Sequence, residues 1–558
     1  MTQRGFWFRL LLIVSLASCG GADSKNENQG TGLPNTSFFI FKANVTGLKG
    51  TLILTNNGKN DVTIQSNGAV TLPNSWTQDG NYEIKVMDEP CAQRCIVDQP
   101  RGQISTNGNL TLNVECEAKR WDIPTSHSDA LSIVYSDASN PTLAMNSYGD
   151  TILSWFQTDN FNMHLFKREF INRSWNKLSS IVDHYSFSGS DSVNVSLDFN
   201  NDLDGSIAWV QEDDVGFRNI FVADASNLDW IFPANSININ ATNASQARPI
   251  VRVNSSGDKI MLWTQAVGNP AEVKLFKAEY QNGSWNFPTD LTPRVSLDGS
   301  DVVSFDVAIN DQGDAIIVWS QSDGANLQLF RAIKKNGHWV ITPTDFTDDF
   351  SIGGTDTSSP RVALSNIGNA YIVWYQYDAP NTPHHFKIYA SSSYDGGLNW
   401  DDPTSLNGNI ISPSGKHASY PKVMVNDQGQ AVVVFRVKDE TSDPYQIYAS
   451  QKISSAASWE SPIRLSTDDF AETQGNVASD MDEYGNVIVA WSSSPSGKVY
   501  KAERRDFQWA KAQEGMPISY GSTEYNLPAV AANNCRSIVA WQQEGSLSQK
   551  HIFVQQYR

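Results

Sequence analysis

Residues Phe305 to Gln321 read FDVAINDQGDAIIVWSQ: an apolar run, a polar turn closed by Gly313, and a second apolar run that ends in Trp319 and Gln321. The phrase returns as PRVALSNIGNAYIVWYQ (Pro360 to Gln376), PIVRVNSSGDKIMLWTQ (Pro249 to Gln265) and PKVMVNDQGQAVVVFRV (Pro421 to Val437). Its closing aromatics are Trp155, Trp209, Trp263, Trp319, Trp374, Phe435, Trp491 and Trp541, spaced 50 to 61 residues apart. Short strands repeated at a fixed period of this length predict a β-propeller.

A second tryptophan recurs between the first set, at Trp121, Trp175, Trp230, Trp285, Trp339, Trp400, Trp459 and Trp509. Each unit therefore reads as four strands, the third and fourth joined by turns such as Asn282-Gly283 and Asn336-Gly337, which suit a type I′ hairpin. The chain stops at HIFVQQYR, a third strand, and the array begins at Trp121, a fourth-strand residue with no preceding three. The two ends predict that the Trp121 strand completes the last blade and hides its edge. The fold class expected is all-β: an eight-bladed propeller, with a seven-bladed ring and one expelled unit as the alternative.

The composition agrees with many short strands and tight turns. Charged residues make up 18%, aromatic residues 11%, and Gly, Asn, Ser and Asp fill the gaps between apolar runs. A net charge of −19 repels phosphate backbones, so no nucleic-acid partner is expected. The acidity is spread along the chain and reads first as solubility.

Ahead of the array the text changes. Arg4 and Arg9 flank a short apolar run, Leu10 to Leu16, that leads into Leu16-Ala17-Ser18-Cys19. Small residues before a cysteine at this place resemble the lipoprotein box of bacteria. The resemblance implies a signal peptide over 1–18, diacylglycerol on the Cys19 thiol and membrane anchoring in the cell envelope, Gly20 favouring the outer membrane. Residues 19–37 are polar and Gly-rich, a flexible tether. Residues 38–118 hold alternating strands broken by turns, and a small β-sandwich is expected there. VTGLKGTLILTNNG, NYEIKV, Cys95 and Cys116 resemble a Cys-containing sandwich module of bacterial lipoproteins, which implies a spacer or adhesion role. In an oxidising compartment Cys95 and Cys116 pair best, each lying in a strand-like stretch, while Cys91 and Cys535 are left without an assigned partner. The propeller is assigned to 119–558.

One unit carries a sharper string, Ser393-Tyr394-Asp395-Gly396-Gly397-Leu398-Asn399-Trp400. It resembles the Asp box of sialidases and other BNR-repeat propellers, with Asn399 where threonine is usual. In that family Ser393, Asp395, Gly397 and Trp400 would shape a turn, so no catalytic role is assigned to them. The family's FRIP motif is absent; the nearest string, Ala247-Arg248-Pro249-Ile250, belongs to the third repeat. No catalytic residue is therefore assigned.

Two groups are candidate ligand sites. Asp198, Asn200, Asp202 and Asp204 alternate ahead of Gly205, as calcium-loop oxygens do, against the plainer reading of a hairpin turn. No cofactor is required, and calcium is the one the sequence admits. The position four residues before the start of each inner strand, as the repeats delimit it, aligns Asp137, Gly189, Ser245, Asp301, Asp356, His417, Thr473 and Glu524. Asp137, Asp301, Asp356, His417 and Glu524, gathered around one opening, would favour a cation or neutral sugar hydroxyls. The glutamines of the W-x-Q phrases read as strand-end hydrogen-bonders. The function expected is an envelope binding protein for a glycan or protein partner, without catalysis. A diverged sialidase-like glycoside hydrolase and an envelope scaffold are the alternatives.

Overall fold

The computed structural model describes residues 39–557 except 58, 77–80, 104–109, 134–135, 172, 179, 214–216, 234, 240–247, 269–270, 381–384, 440–443, 467–476, 494–497, 511–527, 534 and 545–548. The signal and lipidation features around Cys19, and Glu524, lie outside the described residues. The chain is all-β. Residues 39–118 form two four-stranded sheets around one core that includes Phe41, Val45, Leu54, Ile84, Leu112 and Val114. A disulfide joins Cys95 to Cys116 across adjacent strands of this unit.

After it come eight successive antiparallel meanders, seven of four strands and one of three among the described residues. Their inner strands are Ala138–Met145, Ser192–Phe199, Ile250–Val253, Val302–Ile309, Thr357–Leu364, His417–Val425, Ala478–Met481 and Ala529–Asn533. The eighth sheet takes its fourth strand from the start of the array, where Trp121 pairs with Tyr557 and Asp122 with Gln556. The three-stranded fifth sheet replaces a fourth strand with the Ser393–Trp400 turn and a single bridge between Tyr389 and Ile410.

The sheets touch in order and return to the first. Asn146 Nδ2 donates to the Asn200 carbonyl, Asn254 to that of Asn310, and Asn310 to that of Ser365. The Asp482 carboxylate accepts the Cys535 N–H, and Arg536 of the last sheet donates to the Tyr148 carbonyl of the first. Every inner hairpin thus leans on its neighbour, and the array forms a closed ring.

One interaction recurs inside the sheets. Each closing aromatic stacks on an aromatic of the third strand, as in Trp319 on Phe330 at 5.8 Å and Trp155 on Phe166 at 5.9 Å. A buried indole N–H needs an acceptor. In six sheets the glutamine two residues on supplies it, as where Trp319 Nε1 lies 3.1 Å from Gln321 Oε1, whereas the seventh has Ser493 after Trp491. Gln321 Nε2 then donates to the carbonyls of Leu297 and Ser300, tying the loop that leads into the same sheet. The sixth sheet has Phe435 and Val437 instead, and there Lys387 of the neighbouring sheet donates to the matching loop carbonyls, Pro413 and Lys416. Lys274 makes the same two bonds to Leu297 and Ser300 beside Gln321, so with a phenyl ring that has no N–H to satisfy the glutamine can go and the lysine keeps the loop.

Between sheets the second tryptophans do the joining. Trp230 Nε1 donates to Glu169, Trp285 to Asp224, Trp339 to Glu279 and Trp121 to Glu503, each an acceptor on the third strand of the preceding sheet. Glu279 Oε atoms also take Lys277 at 2.7 Å and Lys334 at 2.6 Å. Burial raises the Glu279 pKa, but these donors outweigh it and hold the carboxyl at about 2.

The first unit is fastened to the ring by a second disulfide, Cys91–Cys535, and by the buried Glu89 carboxylate. Glu89 accepts Arg173 at 2.7 Å from the first sheet and Arg536 at 3.5 Å from the last, with Lys119 at 3.5 Å.

Two outcomes are expected. Gln321→Leu leaves the Trp319 indole N–H and the Leu297 amide without their acceptor, and urea denaturation should show a loss of about 2–3 kcal/mol. For Glu279 the folded pKa lies below its unfolded value near 4.5, so its contribution is complete above that value and is lost as pH falls towards about 2. Melts of wild type and Glu279→Gln should therefore differ at pH 7 and converge in acid.

Candidate functional site

The inner strands share a local device. In four of them, where the strand leaves register with its neighbour, one residue adopts a left-handed backbone: Asn140 (φ 52°), Asn194 (φ 51°), Ser359 (φ 50°) and Tyr420 (φ 52°). The bulge re-aims the residues that follow. Two positions later, and again at alternate residues, side chains flank the buried apolar residue of the strand. At these two positions stand Thr142 and Ala144, Ser196 and Asp198, Ile250 and Arg252, Asp306 and Ala308, Arg361 and Ala363, Lys422 and Met424, Ala478 and Asp480, and Ala529 and Ala531.

These strands enclose a cavity of about 990 Å³. Arg218, Arg248, Arg252, Arg361 and Lys422 line it, against Asp306 and Asp480. The acids have backbone partners: Asp306 accepts the Val362 N–H at 3.2 Å, Asp480 the Ala532 N–H at 2.8 Å, and nearby Asp198 the Val253 N–H at 2.9 Å. Each bond staples one inner strand to the next. Burial, the Asp482 charge and the Asp198 charge nonetheless leave Asp480 at about 6. Among the cations, Arg252 lies 3.8 Å from Asp306 and donates to the Val251 carbonyl, and Arg361 donates to the Pro360 carbonyl. Lys422 has no hydrogen-bond or ion-pair partner among the described residues. Burial and the adjacent Arg361 charge lower its pKa to about 8 despite Asp306 and Asp480.

The acidic positions expected to gather at one opening have another task. Asp137 accepts the Lys550 N–H at 2.8 Å, Asp301 that of Val273 at 2.7 Å, Asp356 that of Leu327 at 2.9 Å, and His417 Nδ1 that of Phe386 at 3.3 Å. Each tethers the first amide of a third strand to the inner strand of the following sheet. In the second sheet the equivalent is Asp191, which accepts from Met163, so the alignment on Gly189 slips by two residues. None of the four described residues lines the cavity.

The alternating oxygens of the second sheet diverge. Asp198 faces Val253, Asn200 Oδ1 accepts the amides of Asp202 and Asp204, and Asp204 accepts from Asn227. The matching asparagines Asn146, Asn254 and Asn310 each close the same turn. No three His, Cys, Asp or Glu side chains converge among the described residues. In the Asp-box string, Asp395 Oδ1 accepts Ser393 Oγ and the amides of Leu398 and Asn399, and Gly397 N donates to Ser393 Oγ. Desolvation raises Asp395, yet the bonds from Asn399, Ser393 and Leu398 bring it to about 2. Trp400 Nε1 closes the turn on the Gly397 carbonyl.

The cavity cations were not among the expected site residues, although the quoted repeats contain Arg252, Arg361 and Lys422. An arginine or lysine inside an otherwise apolar inner strand, in PIVRVN, SPRVALS and YPKVMVN, was the available signal.

No protein-family model matches the chain, and no curated protein matches it. Solved structures that align with it include an ulvan lyase of polysaccharide lyase family PL25, at 9% identity over 62% of this chain and 89% of that one, with a TM-score of 0.41. An α-L-arabinanase of Penicillium chrysogenum complexed with arabinobiose aligns at 13% identity over 57% and 94%, TM-score 0.34. A variant of the Aleuria aurantia lectin in complex with Fucα1-6GlcNAc aligns at 11% identity over 61% and 98%, TM-score 0.33. At these values no residue role is carried across.

Asp301→Ala removes one tether at a solvent-facing position. Stability should fall by about 1 kcal/mol, read from the urea midpoint, with no change in any ligand affinity of the cavity.

Proposed function

We propose that the chain is a lipid-anchored protein of the bacterial cell envelope whose propeller binds a glycan bearing an acidic group, without turning it over. In this reading Cys19 carries the lipid, residues 19–37 are the tether, 38–118 a β-sandwich, and the eight meanders the blades of one propeller over 119–558. The Leu16-Ala17-Ser18-Cys19 string supports the anchor. The ring of hydrogen bonds that ends with Arg536 on Tyr148 supports eight blades.

The observation that carries the binding site is Lys422. Its ammonium, without a hydrogen bond of its own, lies beside Arg361 and Arg252 in a cavity of about 990 Å³. A partly buried cation without a partner is incompletely compensated, and an arriving carboxylate or sulfate would supply the missing charge-assisted bond. The volume suits a few sugar rings and excludes a folded partner. Arginine forks read planar oxyanions in two contacts. The cavity's two carboxylates are engaged by backbone amides, an occupation that favours binding over turnover.

The test is a glycan array with the full chain in detergent micelles, followed by calorimetry. Uronate or sulfated oligosaccharides should bind, and their carboxyl-reduced or desulfated counterparts should bind about tenfold more weakly or worse, about 1.4 kcal/mol. Lys422→Gln should show the same loss. Because Lys422 is charged below about 8 and neutral above it, affinity should fall as pH rises from 7 to 9, and this dependence should vanish in Lys422→Gln. Equal binding of neutral glycans would remove the acidic ligand, and reproducible turnover of the bound glycan would replace binding with catalysis.

A further inference from the structure

Tyr420 stands where its counterparts in other sheets are Asn140, Asn194 and Ser359, in a left-handed backbone that short polar residues tolerate and a bulky aromatic does not. Asn194, the left-handed residue of the second inner strand, lines the cavity, as does Lys422, two residues after Tyr420. Tyr420 thus neighbours the cavity lining along its own strand. Its side chain is 51% exposed.

The ring is held from several sides. The Arg436 guanidinium carbon lies 4.1 Å from the Tyr420 ring centre and 4.6 Å from that of Tyr445, and Arg436 is only 8% exposed. Tyr375 packs beside it at 5.7 Å and is itself braced by Phe386 at 5.0 Å. A strained backbone maintained under an exposed aromatic is an outlier that the fold does not need, since asparagine and serine fill the same place elsewhere. An aromatic plate fixed in advance and backed by a cation loses little freedom when a flat, C–H-rich ligand stacks on it.

We infer that Tyr420, supported by Arg436, Tyr375 and Tyr445, is a stacking platform for a sugar ring of the glycan whose acidic group sits by Lys422, which makes the site one for a polymer and not a monosaccharide. This rests on the glycan reading of the cavity. Lys422 fixes one residue of the chain by charge, and Tyr420 takes a ring further out by its face.

Calorimetry of the full chain in micelles with free glucuronate and with a six-residue glucuronate oligosaccharide tests it. Tyr420→Asn is expected to weaken the oligosaccharide about tenfold and the monosaccharide far less. Its Tm should stay within about 2 °C of wild type, because relief of the backbone offsets the lost ring contacts. Tyr420→Trp is expected to restore oligosaccharide binding. Unchanged oligosaccharide affinity in Tyr420→Asn, or equal loss for both probes, overturns the platform while a loss in Lys422→Gln keeps the cavity reading. If neither probe binds, or Lys422→Gln alters neither, the cavity reading falls and the platform falls with it.

Discussion

The buried indole N–H of the second strand is the constraint on which the rest of the ring depends. Tryptophan fills the wedge between two sheets better than any other residue, but its donor sits at the dry end of the strand. Placing a glutamine two residues on puts an acceptor on the same side of the strand, since side chains alternate with period two. The amide that takes the indole proton still has two N–H donors, and these hold the incoming loop. Packing, strand register and loop position are thereby set by one three-residue phrase, present as Trp155–Gln157, Trp209–Gln211, Trp263–Gln265, Trp319–Gln321, Trp374–Gln376 and Trp541–Gln543. Sheet six shows that the elements separate: with Phe435 the acceptor is unnecessary, and the loop keeps the lysine contact that Lys274 also makes where Gln321 is present.

This explains what could be read in advance. A phrase whose spacing is fixed by hydrogen-bond geometry survives as a pattern, so the meanders, their NG hairpins and the strand at Trp121 were legible. The left-handed pair Asn282 and Gly283 is the conformation that such a turn requires. What was not legible is contact between residues with no shared phrase. Cys91 and Cys535 lie 444 residues apart, and nothing local in either sequence specifies the other. The acidic residues before the inner strands were visible but their direction was not. A carboxylate at a loop end serves a solvent opening or a neighbouring amide equally well, and only the position of the next sheet decides between them. Asp301 and Asp356 meet strand-start amides and go no further.

The cavity obeys the opposite logic. Inner strands pack one face against each neighbour, so residues at alternate positions beside the central opening are the ones free to vary. Acids there find backbone N–H donors across the seam, because an inner strand has one unpaired edge facing the next sheet. Arginines find carbonyls, as Arg252 and Arg361 do on Val251 and Pro360, and Arg252 also lies 3.8 Å from Asp306. The five cations of the lining outnumber its two carboxylates, which biases the opening towards anions although acidic residues outnumber basic ones in the chain as a whole.

That bias has to work against a net charge of −19. At physiological ionic strength, charges beyond a Debye length of about 8 Å are largely screened, whereas groups inside the opening are not. An acidic ligand therefore meets weak repulsion at a distance and strong attraction only within reach of Arg252, Arg361 and Lys422. Recognition under these conditions depends on the few side chains in contact and not on the overall field. An acidic exterior also discourages anions that lack the shape to enter. Cations gathered at the centre of a chain with a net charge of −19 are thus a route to selectivity.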